Sequence, residues 1–171
     1  DADEAIIKEM ALNEAGVKKF IDGQELKKTI IVPGRIVNLV VKSSAFLFGN
    51  TNSFFGTLQR LGIEVTFVDA TSSDAVAAAI KSNTRAVFVE TIANPVTQIA
   101  DLQGIGDLCE SKGLVYIVDN TMTSPHLFKP KSVKASLTVN ALTKYIGGHG
   151  NALGGAITDT GCYSWDKYPN I

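Results

Sequence analysis

The sequence predicts an α/β fold, a mainly parallel sheet with helices on both faces, and three observations predict it. Between residues 36 and 141, short apolar runs of strand length alternate with stretches of helical periodicity. One of those runs, residues 114–119, is nearly all apolar, as a strand covered on both sides must be. No repeat, low-complexity tract or linker interrupts the alternation, so one domain over residues 1–171 is expected.

Residues 3–16 set Ile6, Ile7, Met10 and Ala11 at helical spacing against Asp3, Glu4, Lys8 and Glu9, which predicts an amphipathic helix. Residues 17–21 fit either a helix or a short strand. DGQ then opens a second helical stretch that stops before Pro33-Gly34. Strands follow at 36–41 and 63–68, with a helix at 51–61 between them, and a helix at 73–81 carries Val76, Ala79 and Ile80 on one side. A third strand is expected at 85–90. Asp101 caps a helix whose Leu102, Ile105, Leu108 and Cys109 share a face, and the strand at 114–119 comes next. Finally LTVNALTKYIGGHGNALGGAI reads as a strand, a Thr-Lys pair, a glycine-rich loop and a second short strand.

Composition excludes several function classes. Sixteen basic residues stand against seventeen acidic ones without a run of like charge, so neither nucleic acid nor a membrane surface is implied, and a small-molecule ligand is the better expectation. Cys109 and Cys162 lie far apart with no Cys or His at ligand spacing, which argues against a zinc site and a disulfide framework and gives no metal site. Cys109 reads as a small core residue. No apolar run reaches the length of a membrane span, and the acidic start DADEAIIKEM is unlike a signal peptide, which points to a cytoplasmic setting.

Candidate chemistry follows from where strands end. In open α/β sheets ligands bind beyond the carboxyl ends of the strands, a rule that selects Glu90, Thr91 and Asn94 after the third strand, Asp119 and Thr121 after the fourth, and Lys144 after Leu137–Ala141. Lys144 sits beside Gly147, Gly148, Gly150, Gly154 and Gly155, which let backbone approach a ligand. In a partly desolvated pocket its amine becomes nucleophilic and can form a Schiff base with an aldehyde; the plainer alternative is a solvated lysine on a flexible loop. His126 and His149 have no partners at triad or metal spacing and read as structural. The loop glycines do not form a dinucleotide fingerprint, and no phosphate-loop pattern occurs.

The TKYIGGHG segment, together with VFVETIANP and YIVDNTMTSP, resembles the Cys/Met-metabolism (trans-sulfuration) family of pyridoxal-phosphate enzymes, which includes cystathionine synthases and lyases, O-acylhomoserine sulfhydrylases and methionine γ-lyases. LGIEVTFVD and LFGNT match family segments more weakly, and the likeness runs from about Gly16 to the end. It implies the large domain of a fold-type I enzyme with pyridoxal 5'-phosphate held by Lys144. It also implies Asp119 against the pyridine nitrogen, Thr121 near the ring, Asn94 beside the phenolic oxygen and Phe48 stacked on the ring. Thr143 and the helix start at Gly23 and Gln24 are implied at the phosphate.

The implied activity is elimination or replacement at Cγ of homoserine esters, cystathionine or methionine, with an amino-acid substrate and a homo-oligomer, dimer or tetramer. Elimination at Cβ, and a truncated, non-catalytic cofactor-binding or subunit-association remnant, are the rivals. Three residues depart from the family pattern. Asp22 and Ala141 stand where it has serines near the phosphate, which implies weaker cofactor binding, and Phe48 replaces a tyrosine, keeping the stacking face without the hydroxyl. The chain is also short for the family, and the expectation is a large domain lacking the N-terminal arm and the C-terminal domain.

Overall fold

The computed structural model of the chain describes residues 38–42, 49–94, 97–166 and 168. Their elements run β1 (Asn38–Lys42), α1 (Gly49–Arg60), β2 (Glu64–Val68), α2 (Ser73–Ala79), β3 (Thr84–Glu90), α3 (Leu102–Lys112), β4 (Val115–Asp119), α4 (Ser124–Leu127), a 3-10 turn (Pro130–Val133), β5 (Leu137–Ala141) and β6 (Gly155–Asp159). The two helical stretches expected before Pro33 lie outside the described residues.

The strands form one six-stranded sheet in the order β2-β1-β3-β4-β5-β6. All neighbours are parallel except β5 and β6, which pair antiparallel from Leu137↔Asp159 to Ala141↔Gly155. The mainly parallel sheet expected from the alternation is therefore present. Its order reverses at β1, since the chain steps outward to β2 and then returns past β1 to β3. Right-handed crossovers put helices on opposite faces for the two directions of travel, so α1 covers one face while α2 and α3 cover the other.

The core divides the same way. On the α1 face Phe55 is fully buried and meets Phe88 edge-on at 5.4 Å, with Ala86 and Val115 beside it. On the opposite face Val76, Ile105 and Cys109 close over Val87, Val89, Tyr116 and Val118. Among the described residues, no crossover helix lies on the α1 face above β4 and β5. There Tyr163, Trp165 and Tyr168 pack against the strands instead.

Several boundaries shift by a residue or two from expectation, and two of the shifts have local reasons. Helix α2 stops at Ala79, because the Ile80 backbone turns extended and the Thr84 hydroxyl accepts the Lys81 N–H at 2.9 Å; Ile80 still packs on the core from its extended position. Leu114 is not in the strand, because Gly113 closes α3 in the left-handed conformation and the Leu114 N–H bonds the Cys109 carbonyl at 2.9 Å. Burial pushes the Cys109 thiol up to about 12, which removes it as a nucleophile.

Asp101 caps α3 as expected, accepting the Gly104 N–H at 3.0 Å and the Ser73 N–H at 3.3 Å. The Ser73 side chain, then the Gly104 N–H, holds its carboxyl below the ordinary value. Asp101→Ala should cost about 1 kcal/mol in a urea titration. The sign of the pH effect follows from the depressed value: the charge's contribution is complete above the unfolded carboxyl's titration and is lost as pH falls through the folded one. Parent and Asp101→Asn should therefore converge in stability as pH drops below about 4.

Candidate functional site

Three strand ends bring side chains to one place. Glu90 on β3 pairs with Asp119 on β4, and Asp119 pairs with Val139 on β5. Alternation along each strand then puts Glu90, Asp119 and Ala141 on the α1 face, following Phe88, Ile117 and Val139 of the core below them. Asp119 is half-buried, and its Oδ1 accepts the Thr121 N–H at 2.9 Å. Thr121 in turn accepts the Ala141 N–H at 2.8 Å through its hydroxyl oxygen, which ties the turn after β4 to the start of the lysine loop. Among the described residues, Asp119 Oδ2 and the Thr121 hydroxyl proton make no hydrogen bond, so an acceptor and a donor remain for a ligand.

The lysine loop spans residues 142–154 between β5 and β6. It closes on itself: the Thr143 hydroxyl accepts the Gly154 N–H at 3.0 Å and donates to the Gly154 carbonyl at 3.3 Å. Within it the Lys144 N–H bonds the Ala141 carbonyl, and the Gly147 N–H bonds the Leu142 carbonyl at 2.7 Å. Only glycine fits at that last position, where a Cβ would stand 2.7 Å from the same carbonyl oxygen. Lys144 is exposed, and its amine has no partner among the described residues. The partly desolvated surroundings expected of it are not supplied by the residues described, because the loop projects past the carboxyl ends of the strands and none of the described helices lies above β5 on that face.

Asn94 is exposed on the turn after β3. Thr143 lies beside Lys144, but Gly154 engages its hydroxyl. Gly23, Gln24, Phe48 and Asp22 lie outside the described residues. The structure thus brings Asp119, Thr121, Ala141 and the Lys144 loop to one edge. His126 is exposed and His149 bonds the Gly147 carbonyl through Nδ1 at 2.8 Å. Asn140, only 4% exposed with an Nδ2 lacking an acceptor among the described residues, faces the other side of β5. No group of three or more His, Cys, Asp or Glu able to hold a metal occurs among the described residues. None of their helices is long and apolar enough to cross a membrane.

Behind this edge lies a buried network of which the strand-end rule selects Thr91 but not Asn120 or Thr123. Asn120 is fully buried, Thr91 is 2% exposed, and Thr123 links the two. The only sign in the sequence is the clustering of Asn and Thr in DNTMT directly after an apolar strand.

Comparison with known proteins places this arrangement. The family model for Cys/Met metabolism PLP-dependent enzymes matches residues 30–170. The chain belongs to that family. Cystathionine gamma-lyase of Bacillus subtilis is 34% identical over 154 residues, covering 90% of this chain and 40% of the relative. Among solved structures, cystathionine gamma-lyase of Lactobacillus plantarum complexed with L-serine superposes with a TM-score of 0.68 at 31% identity, over 71% of this chain and 32% of the other. A Campylobacter jejuni protein described as an O-acetylhomoserine (thiol)-lyase superposes with a TM-score of 0.67 at 33% identity, over 71% and 30%, and its crystals hold a pyridoxyl-lysine monophosphate adduct. The chain therefore spans less than half the length of these relatives. The fold is that of the fold-type I enzymes, and the family's cofactor is pyridoxal phosphate.

Proposed function

We propose that residues 1–171 are the cofactor-binding large domain of a pyridoxal-phosphate-dependent lyase or transferase of sulfur amino-acid metabolism. Its chemistry is elimination or replacement at Cγ of homoserine esters, cystathionine or methionine. The observation that carries this reading is the convergence of Asp119, Thr121 and the Lys144 loop on one sheet edge, held together by the Thr121 to Ala141 hydrogen bond.

The groups left available there suit the cofactor. Lys144 offers an amine for an aldehyde, Asp119 Oδ2 an acceptor for a protonated ring nitrogen, and Thr121 a hydroxyl proton for a ring substituent. When bound, pyridoxal phosphate supplies the electron sink for an amino acid whose α-proton is removed. Lys144 would hold the aldehyde carbon and afterwards carry protons at its Nζ. Asn94 would lie beside the phenolic oxygen, Phe48 against the ring, and Thr143, Gly23 and Gln24 at the phosphate. That phosphate role requires the Thr143 hydroxyl to release its long bond to Gly154. The L-serine bound to a related enzyme supports an amino-acid substrate; a homo-oligomer and a cytoplasmic setting belong to the same proposal.

One observation favours a second reading. The exposure of Lys144 suits a non-catalytic remnant that binds cofactor or a partner subunit through the same fold. Adding pyridoxal phosphate, recording the absorbance spectrum, reducing with borohydride and mapping the peptides tests the first reading directly. The adduct should fall on Lys144. Labelling of another lysine, or of none, overturns it.

A further inference from the structure

The buried hydroxyl network behind the sheet has a direction. Thr123 has one hydroxyl proton, and it goes to Asn120 Oδ1. The 3.0 Å contact between the Thr91 and Thr123 hydroxyls therefore has Thr91 as donor. Asn120 passes the chain on, donating from Nδ2 to the Phe128 carbonyl at 3.0 Å, while its own carbonyl accepts the Ser124 N–H at 2.8 Å. Each side-chain donation runs the same way, from the loop after β3, through the turn after β4, to the end of α4.

The network does not reach the face where Asp119 stands. Thr91 and Asn120 continue the strands on the parity of Val89 and Val118, the face of the α3 core. It is joined to Asp119 through backbone alone: the Thr91 N–H bonds the Asp119 carbonyl at 2.9 Å, and the Asn120 N–H bonds the Val139 carbonyl at 2.8 Å. Asp119 is thus flanked by Thr91 on the neighbouring strand and by Asn120 next to it on its own, two residues whose side chains are linked through Thr123 underneath. Three residues beyond Thr91 on the same loop lies Asn94.

We propose that Thr91, Thr123 and Asn120 are positioning residues that hold the Asn94 loop and the Asp119 strand end at a fixed separation, and so set the fit of a pyridoxal-type ring lying between them. This rests on the cofactor reading given above. A packed aliphatic contact could stabilise the two loops but would not fix their spacing, because it lacks direction; two directed hydroxyl bonds do. In Thr123→Val, which keeps the shape, Thr91 loses its acceptor and Asn120 Oδ1 loses its donor inside the protein. The loops then part until water reaches both groups.

The test is titration with pyridoxal phosphate, read by absorbance across pH, for the parent, Thr123→Val and Thr123→Ser, with amide hydrogen exchange followed in parallel. Thr123→Val should bind the cofactor about ten-fold more weakly or worse, shift the pH midpoint of the bound cofactor's absorbance, and raise exchange at Thr91 and Asn120. Thr123→Ser, which restores the hydroxyl, should return all three towards the parent. If Thr123→Val melts earlier yet keeps the parent's affinity and pH midpoint, the network is structural only and the positioning role is overturned while the cofactor reading stands. If the parent itself takes up no cofactor, the cofactor reading is overturned and the positioning role with it.

Discussion

Replacing Gly106 with alanine is expected to destabilise the chain by about 3 kcal/mol or more, against the usual trend of glycine-to-alanine changes inside helices. Gly106 is buried on α3, and a Cβ built there lies 2.0 Å from the Val133 carbonyl oxygen and 3.4 Å from the Tyr116 ring. Neither side yields cheaply. Val133 belongs to the 3-10 turn, which is closed by the Lys134 N–H on the Lys131 carbonyl and the Ala135 N–H on Pro130. Helix α3 is fixed at its start by Asp101 and packed through Ile105 and Cys109. The helix-propensity gain of alanine, roughly 1 kcal/mol, is outweighed by a backbone clash of this depth. Gly56→Ala on α1 is the control, since nothing lies within 4 Å of its Cβ, and it should stabilise by several tenths of a kcal/mol. Urea titrations of both decide the matter; a Gly106→Ala chain as stable as the parent would mean that α3 does not sit against the turn leading to β5.

That contact illustrates what the sequence could and could not convey. Local physics was legible: the Asp101 cap, the apolar strands, the glycines around Lys144 and the polar residues at strand ends all follow from spacing within a few positions. Family motifs added roles to those ends. Gly106 carried no such signal, because its neighbour is 27 residues away in the chain and the need for glycine arises only when α3 meets Val133. The same holds for Asn120 and Thr123, whose meaning depends on Thr91, 32 residues from Thr123. Hydrophobicity alone places Ile80 in a helix and Leu114 in a strand, yet each is apolar and packed while its backbone serves a turn. The exposure of Lys144 was illegible for a different reason. Burial of a loop depends on which face the crossover helices take, and that depends on strand order.

Asp119→Asn is expected to separate holding the cofactor from using it. Asparagine keeps an oxygen that can accept the Thr121 N–H, so the turn, and with it the bond from the Ala141 N–H to the Thr121 hydroxyl oxygen, should persist. Reductive trapping at Lys144 should then remain largely intact, since that bond needs the amine and not the carboxylate. What disappears is a negative charge on the α1 face beside β5. A carboxylate within a few ångströms of a ring nitrogen favours its protonated form by about 1–3 units, so removing it should slow exchange of a bound amino acid's α-proton on the order of ten- to thousand-fold. Exchange into heavy water, followed by NMR, reads the rate. The chemical shift of an isotopically labelled ring nitrogen in the bound cofactor reads the cause independently of turnover. A nitrogen that stays protonated in Asp119→Asn, with exchange unchanged, would reduce Asp119 to the cap of the Thr121 turn. A nitrogen that loses its proton while trapping at Lys144 persists would assign the two functions to separate strands, the lysine loop after β5 and the carboxylate at the end of β4.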